Sequence, residues 1–180
     1  MHTTCPTLPR IVAGYLECAQ WADAPEGSGA RFTHAARDVA AQVCAAFVEY
    51  IGPDLTAQAV DLQGPEQFGC DLWLTRCGHG AGFWDRDALQ VPPAALPELK
   101  DRNGRPMPAT ERGATLGDIL SVAAYGGAHI SPFAYPDLCA YRGWLTFSDS
   151  AGFALTGGPC VWGFWQAWRA ARPAVQGAAA

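Results

Sequence analysis

Apolar residues recur at helical spacing along much of the first half of the chain, and the breaks in that spacing carry turn chemistry. Between Pro9 and Trp21, the residues Ile11, Tyr15, Cys18 and Ala19 follow a 3.6-residue period and predict a helix, although Val12 and Leu16 would suit a strand over part of it. Asp23 to Ala30 reads as a Pro/Gly/Ser loop. Thr33 is placed to cap a second helix carrying Val39, Val43, Phe47, Tyr50 and Ile51 on one face and ending at Gly52-Pro53. Asp54 is the expected cap of a short helix through Leu62. Gly64-Pro65-Glu66-Gln67 then reads as a fresh start, with proline in the first helical position and an acid in the first turn.

Phe68 to Cys77 is ambiguous by pattern alone. Leu72 and Leu74 alternate with Trp73 and Thr75 as in a strand, while Phe68, Leu72 and Thr75 fit a helix; the proline start and the Gly78 stop favour helix. Gly80 and Gly82 allow a tight reversal, and Phe83-Trp84-Asp85 has the look of a strand start. Val91 to Pro108 holds five prolines and Asp101-Arg102-Asn103-Gly104, which predicts an irregular surface loop over 91–108. Thr115 and Asp118 resemble a capping box ahead of a helix with Leu116, Ile119, Leu120, Ala123 and Ala124 on one face. Ser131 to Pro136 reads as a loop, Trp144 to Ser148 with Phe153 to Thr156 as a hairpin, and Pro159 as the start of a helix whose Val161, Phe164, Trp165 and Trp168 share a face. The expected fold is α+β: a single compact domain over 1–180, several helices packed on a small antiparallel sheet, with 1–8 and 173–180 as flexible ends.

Composition narrows the function classes. The chain has 180 residues, 49% of them hydrophobic and 16% charged, so it can bury a sizeable core and is globular rather than disordered. A net charge of −5 argues against a general nucleic-acid binder, which needs a basic footprint to release counterions. Seven cysteines form an odd set without C-x-x-C spacing, which argues against both a zinc ribbon and a disulfide framework. The segment from Met1 to Pro6 has neither the basic start nor the apolar run of a signal peptide, and no eighteen-residue apolar stretch is present. A cytoplasmic, thiol-reduced protein without a membrane partner is expected.

The densest chemistry lies in Leu74-Thr75-Arg76-Cys77-Gly78-His79-Gly80-Ala81-Gly82-Phe83-Trp84-Asp85-Arg86-Asp87. Cys70 and Cys77 on one helix are separated by a rise of roughly 10 Å and cannot share an ion; Cys77 and His79 with Asp85 or Asp87 form a weaker ligand set, so neither a metal nor a cofactor is predicted. No serine stands in a G-x-S-x-G elbow. The glycines follow a helix and precede an extended segment, the reverse of a phosphate loop. No catalytic residue is therefore assigned. An enzyme would have to use His79 as general base, oriented by Asp85 or Asp87, or with either acid holding a metal. In a purely structural reading, His79 complements the terminal carbonyls of the helix and the glycines only close a turn. A turn can instead expose Arg76, His79, Trp84, Asp85 and Arg86 together as a contact surface, since Trp and Arg are productive anchors. Seven tryptophans are present, four of them from Trp144 onward, and Trp162 points off the Val161/Trp165/Trp168 face. They read either as a Trp-rich core or as a second aromatic patch beside Arg169 and Arg172.

Leu74 to Asp87 resembles a group of small proteins carried by bacteriophages, plasmids and integrated elements that share an L-T-R-x-G-H-G-A-G-F-W-D-R core. The likeness extends more loosely to Gly14-Tyr15-Leu16-Glu17-Cys18-Ala19-x-Trp21, covering residues 10 to 87. In that group Asn commonly stands at the position of Cys77 and His often at that of Cys70. A helix ending in Gly-Gly before an aromatic strand is also similar to antirestriction proteins of the ArdB/KlcA type, an analogy of form. The resemblance implies a small accessory protein of a mobile element, in a bacterial host cell, that binds a host protein; a defence-system component is the implied target and counter-defence of the anti-CRISPR or antirestriction type the implied role.

Overall fold

The computed structural model describes residues 5–24, 26–27, 29–96, 106, 115–126, 137–141 and 144–148. In chain order the elements are α1 (Leu8–Asp23), β1 (Arg31–Phe32), α2 (His34–Ile51), α3 (Pro53–Gln63), α4 (Pro65–Cys77), two 3-10 turns (Phe83–Asp85 and Asp87–Leu89), α5 (Leu116–Gly126), β2 (Asp137–Tyr141) and β3 (Trp144–Ser148). The loop predicted at 131–136, the strand at 153–156, the helix from Pro159 with its tryptophans, and the C-terminal tail lie outside the described residues.

Helix ends follow local rules. Thr33 caps α2 by accepting from the Ala36 N–H at 3.1 Å, and Gly52, at φ 85°, ends that helix so that Pro53 can open the next. Asp54 does not cap α3: it sits in the first turn, favourable to the helix dipole, and the N-cap position is Gly52, whose carbonyl accepts from Thr56 Oγ1 at 2.8 Å. Thr115 and Asp118 make the reciprocal pair expected of a capping box, each backbone N–H donating to the other side chain at 3.1 Å.

α4 is the hub of the helical packing, meeting α1, α3, α5 and the first 3-10 turn. Phe68, Gly69, Asp71, Leu72, Trp73, Leu74, Thr75 and Arg76 are all buried. A helix enclosed over most of its circumference has no single apolar stripe, which is why its sequence alternates as a strand would. Its closest neighbour is α1. A Cβ at Gly69 would lie 2.0 Å from the Ile11 carbonyl oxygen, and one at Gly14 2.0 Å from that of Glu66, so the two backbones touch where neither carries a side chain. Around this crossing Tyr15 meets Trp73 edge-on at 5.2 Å, and Phe47, Phe68 and Phe83 cluster at 5.2–5.8 Å between ring centroids.

Two expectations are corrected. The molecule is mainly helical, with helices packed on one another rather than on an antiparallel sheet, and its small sheet has order β1-β3-β2 with β1 and β3 parallel. Trp144–Ser148 pairs antiparallel with Asp137–Tyr141, which precedes it. Leu145 and Phe147 point into the core, where Phe147 contacts Tyr15, Phe32 and Trp73, while Trp144 faces out. Second, Phe83–Asp85 is a 3-10 turn, not a strand. The Phe83 N–H donates to Thr75 Oγ1 at 3.1 Å and the Gly82 N–H to Asp85 Oδ1 at 2.9 Å, so side chains take the donors that a ladder would need. The proline-rich segment begins as an irregular stretch, pinned at its start by Gln58, whose amide donates to the Pro92 carbonyl and accepts from the Ala94 N–H.

Candidate functional site

The helix end and turn from Arg76 to Asp87 do not form one surface. Arg76 is 3% exposed, and its charge opposes the upward push that burial gives the Tyr15 hydroxyl and the Cys44 thiol. As a contact anchor it is therefore withdrawn. The sequence placed it at a turn, yet it lies on the last helical turn facing α1 and α2, where a long aliphatic stem is readily enclosed.

Arg86 does a structural job as well. Its Nε and Nη2 donate to Asp71 Oδ1 at 2.8 and 2.6 Å, and Gln67 Nε2 donates to the same oxygen at 2.8 Å. Asp71 is wholly buried and its Oδ2 makes no hydrogen bond. Burial holds this carboxyl above the ordinary carboxylate range, against the pull of Arg86 and Gln67. The Arg86 side chain remains 33% exposed.

His79 follows Gly78, the left-handed residue that terminates α4. Its carboxylate partner is neither Asp85 nor Asp87: Nε2 lies 3.0 Å from Asp23 Oδ2, at the end of α1. The Trp73 indole N–H donates to the same oxygen at 2.7 Å and so fixes the carboxylate from beneath. Asp85 instead caps the turn through Gly82, and Asp87 is exposed at the start of the second 3-10 turn. Asp23 carried no signal in the sequence, because 56 residues separate it from His79.

Cys77 completes a group with these two. The ligand atoms of Asp23, Cys77 and His79 all lie within 4.8 Å of one another, the set of three metal-binding side chains found among the described residues. Oxygen, sulfur and nitrogen donors with a hydrogen-bonded carboxylate suit zinc by type, and tetrahedral bonds of 2.0–2.3 Å would place donors about 3.3–3.8 Å apart, a modest contraction. The sequence predicts no metal, and its weaker ligand set joins Cys77 and His79 to Asp85 or Asp87 in place of Asp23.

Trp84 is the anchor that the structure leaves available. It is 45% exposed in the middle of the first 3-10 turn, and its carbonyl accepts from Gln90 Nε2 at 2.9 Å. Thus His79, Trp84 and Asp85 face solvent, Arg86 partly so. A groove of about 300 Å³ lies elsewhere, lined by Gly14, Glu17, Cys18, Trp21, Glu66, Gln67 and Cys70, and does not include His79. No helix among the described residues is long and apolar enough to cross a membrane. No family model matches the sequence, and neither a curated protein nor a solved structure matches the chain.

Proposed function

We propose that this chain is a small accessory protein of a phage or other mobile genetic element that works in the bacterial cytoplasm by binding a host protein, with a restriction or CRISPR component as its target and inhibition of that component as its role. The observation that carries the binding reading is the presentation of Trp84. Its turn is held by Asp85 on Gly82, by Arg86 on buried Asp71 and by Gln90 on the Trp84 carbonyl, so a large aromatic is offered from a backbone with little freedom left to lose. Binding that rests on such an anchor loses 2 kcal/mol or more on truncation to alanine, roughly a thirtyfold weakening.

The test is expression of wild type and Trp84→Ala in restriction-proficient and CRISPR-proficient hosts, read as plating efficiency of a sensitive phage, with the melting temperature of both proteins as control. Wild type is expected to raise plating and to co-purify with a defence component, and an equally stable Trp84→Ala to do neither. Equal plating with and without the protein in every host overturns the counter-defence reading; equal capture of the same component by both forms removes Trp84 from it.

The convergence of His79, Asp23 and Cys77 favours one second reading, a small hydrolase in which Asp23 takes the place first given to Asp85 or Asp87. A zinc-dependent hydrolysis of ester or phosphodiester substrates that vanishes in Asp23→Asn would establish it.

A further inference from the structure

The α1–α4 crossing does more than pack two helices. Cys18 stands one turn after Gly14, and Cys70 directly follows Gly69, the two glycines at which the backbones touch. Their sulfurs lie 2.6 Å apart, well inside the usual contact of two unbonded sulfurs and about half an ångström beyond a covalent S–S bond, and both thiols are free. Cys18 is buried and Cys70 half-buried, and both line the groove of about 300 Å³ whose rim carries Trp21, 77% exposed. We propose that Cys18 and Cys70 form a redox-active dithiol that exchanges with small disulfides entering this groove and closes to an intramolecular disulfide between α1 and α4.

The two sulfurs have different tasks. The Cys18 thiol keeps its proton, since its contact with Cys70 and its burial both push it up; the same contact, aided by the nearby Arg86 charge, holds Cys70 below the usual thiol range, with burial, Asp71 and Glu17 opposing. Cys70, half-buried on the groove where Cys18 is buried, is the sulfur an entering disulfide meets and so the attacking one, with Cys18 the resolving one. The Cys70 thiolate attacks one sulfur of a disulfide RSSR; the reagent's S–S bond breaks, a Cys70–S–S–R bond forms, and RS⁻ leaves to take a proton from water. Cys18 then loses its proton, attacks Cys70 Sγ, and expels the second RS⁻, which is protonated in turn. Two protein thiols are oxidised by two electrons and one disulfide is reduced to two thiols.

Charge sets the preferred reagent. Glu66 is neutralised by Arg10 at 2.6 Å, but Glu17 stands on the rim, and the chain as a whole is acidic at −5. A cationic disulfide is therefore favoured over an anionic one, with electrostatic attraction raising its encounter rate. The aromatic face of Trp21 on the rim adds a contact for an ammonium group.

Full-length protein is treated in turn with cystamine, hydroxyethyl disulfide and oxidised glutathione, and the products are mapped by tandem mass spectrometry. A Cys18–Cys70 crosslink is expected, formed by cystamine about tenfold faster than by oxidised glutathione at low salt. In Cys18→Ser the reaction is expected to stop at a mixed disulfide on Cys70, and in Cys70→Ser Cys18 remains unmodified; neither outcome follows from a merely structural pair. Native wild type in which Cys70 reacts no faster than Cys5 and no Cys18–Cys70 crosslink accumulates overturns the proposal. Crosslinking at equal rates by all three reagents overturns the charge preference and leaves an unselective dithiol.

Discussion

Replacing Gly69 with alanine sets two opposing effects against each other at the α1–α4 crossing. Within a helix the change is intrinsically favourable by about 0.8–1.0 kcal/mol, because alanine loses less backbone freedom on folding. At this position, however, the new Cβ would lie 2.0 Å from the Ile11 carbonyl oxygen and 2.7 Å from the Tyr15 nitrogen, whereas ordinary contact begins at 3.4 Å. The obstacles are backbone atoms of a helix, so no side chain can rotate away and the helices must part by up to about 1.4 Å. Overpacking of this kind costs typically 1–3 kcal/mol and sometimes more, and rigid obstacles place it at the upper end; the net loss is about 2 kcal/mol. For a chain of 180 residues that lowers the melting temperature by about 4–8 °C. Gly14→Ala, which meets the Glu66 carbonyl oxygen at 2.0 Å, should cost a similar amount. Because one separation of the helices relieves both clashes, the double variant should lose clearly less than the sum of the two singles. Calorimetry and urea titration on the four proteins decide the matter. A Gly69→Ala protein that melts higher than wild type would mean that propensity wins and that the backbones do not touch.

The buried carboxylate supplies two further predictions. Arg86→Met leaves Asp71 enclosed with Gln67 alone and should cost about 2–4 kcal/mol in urea titration, the usual 3–5 kcal/mol for breaking a buried pair reduced because Arg86 is one-third exposed. Since burial raises the folded-state pKa of Asp71, the folded chain holds a proton that the unfolded chain has already released; the resulting stability is full below the unfolded value and disappears as pH rises through the folded one. The stability of wild type relative to Asp71→Asn should therefore fall as pH is raised through the carboxylate range, and a difference that grew with pH would show that pairing outweighs burial. Cys44, pushed up to about 12 by burial, should resist iodoacetamide at pH 8 in the native protein and label only after denaturation. Thr33→Ala removes the cap of α2 and should cost about 1 kcal/mol by the same titration, whereas Thr33→Ser should cost little.

Much of the helical frame was legible because helix ends are governed by neighbours in sequence. Thr33, Gly52-Pro53, Gly64-Pro65, Gly78 and the Thr115/Asp118 pair all act within a few residues, and each boundary stands close to where its chemistry placed it. What failed depended on distant partners. Phe83 looked extended until Thr75 Oγ1, eight residues back, took its N–H. Arg76 looks like a surface cation, but every residue of α4 from Asp71 to Arg76 is buried, a property of the packing that no single-helix pattern reports. The partner of His79 came from the end of α1, and the Cys18–Cys70 contact exists because two glycines 55 positions apart let helices meet. The site was thus half visible: His79, Trp84 and Cys77 could be named, while the acid beside His79 and Cys77 required the fold.

The order in which these helices appear in the chain gives the α1–α4 contact a consequence for synthesis. α1 is complete at Asp23, but its principal partner ends at Cys77, and α2 and α3 lie between. At 5–20 residues per second, the nascent chain carries the apolar face of Ile11, Tyr15, Leu16 and Ala19 for about 3–10 s before α4 is available to cover it. The α2–α3 segment can gain structure meanwhile from its own caps and α2 offers α1 part of its packing, yet the close α1–α4 crossing has to wait for Cys77. Its closure spans a loop of more than forty residues, and until it closes that apolar face is where a chaperone would engage the chain.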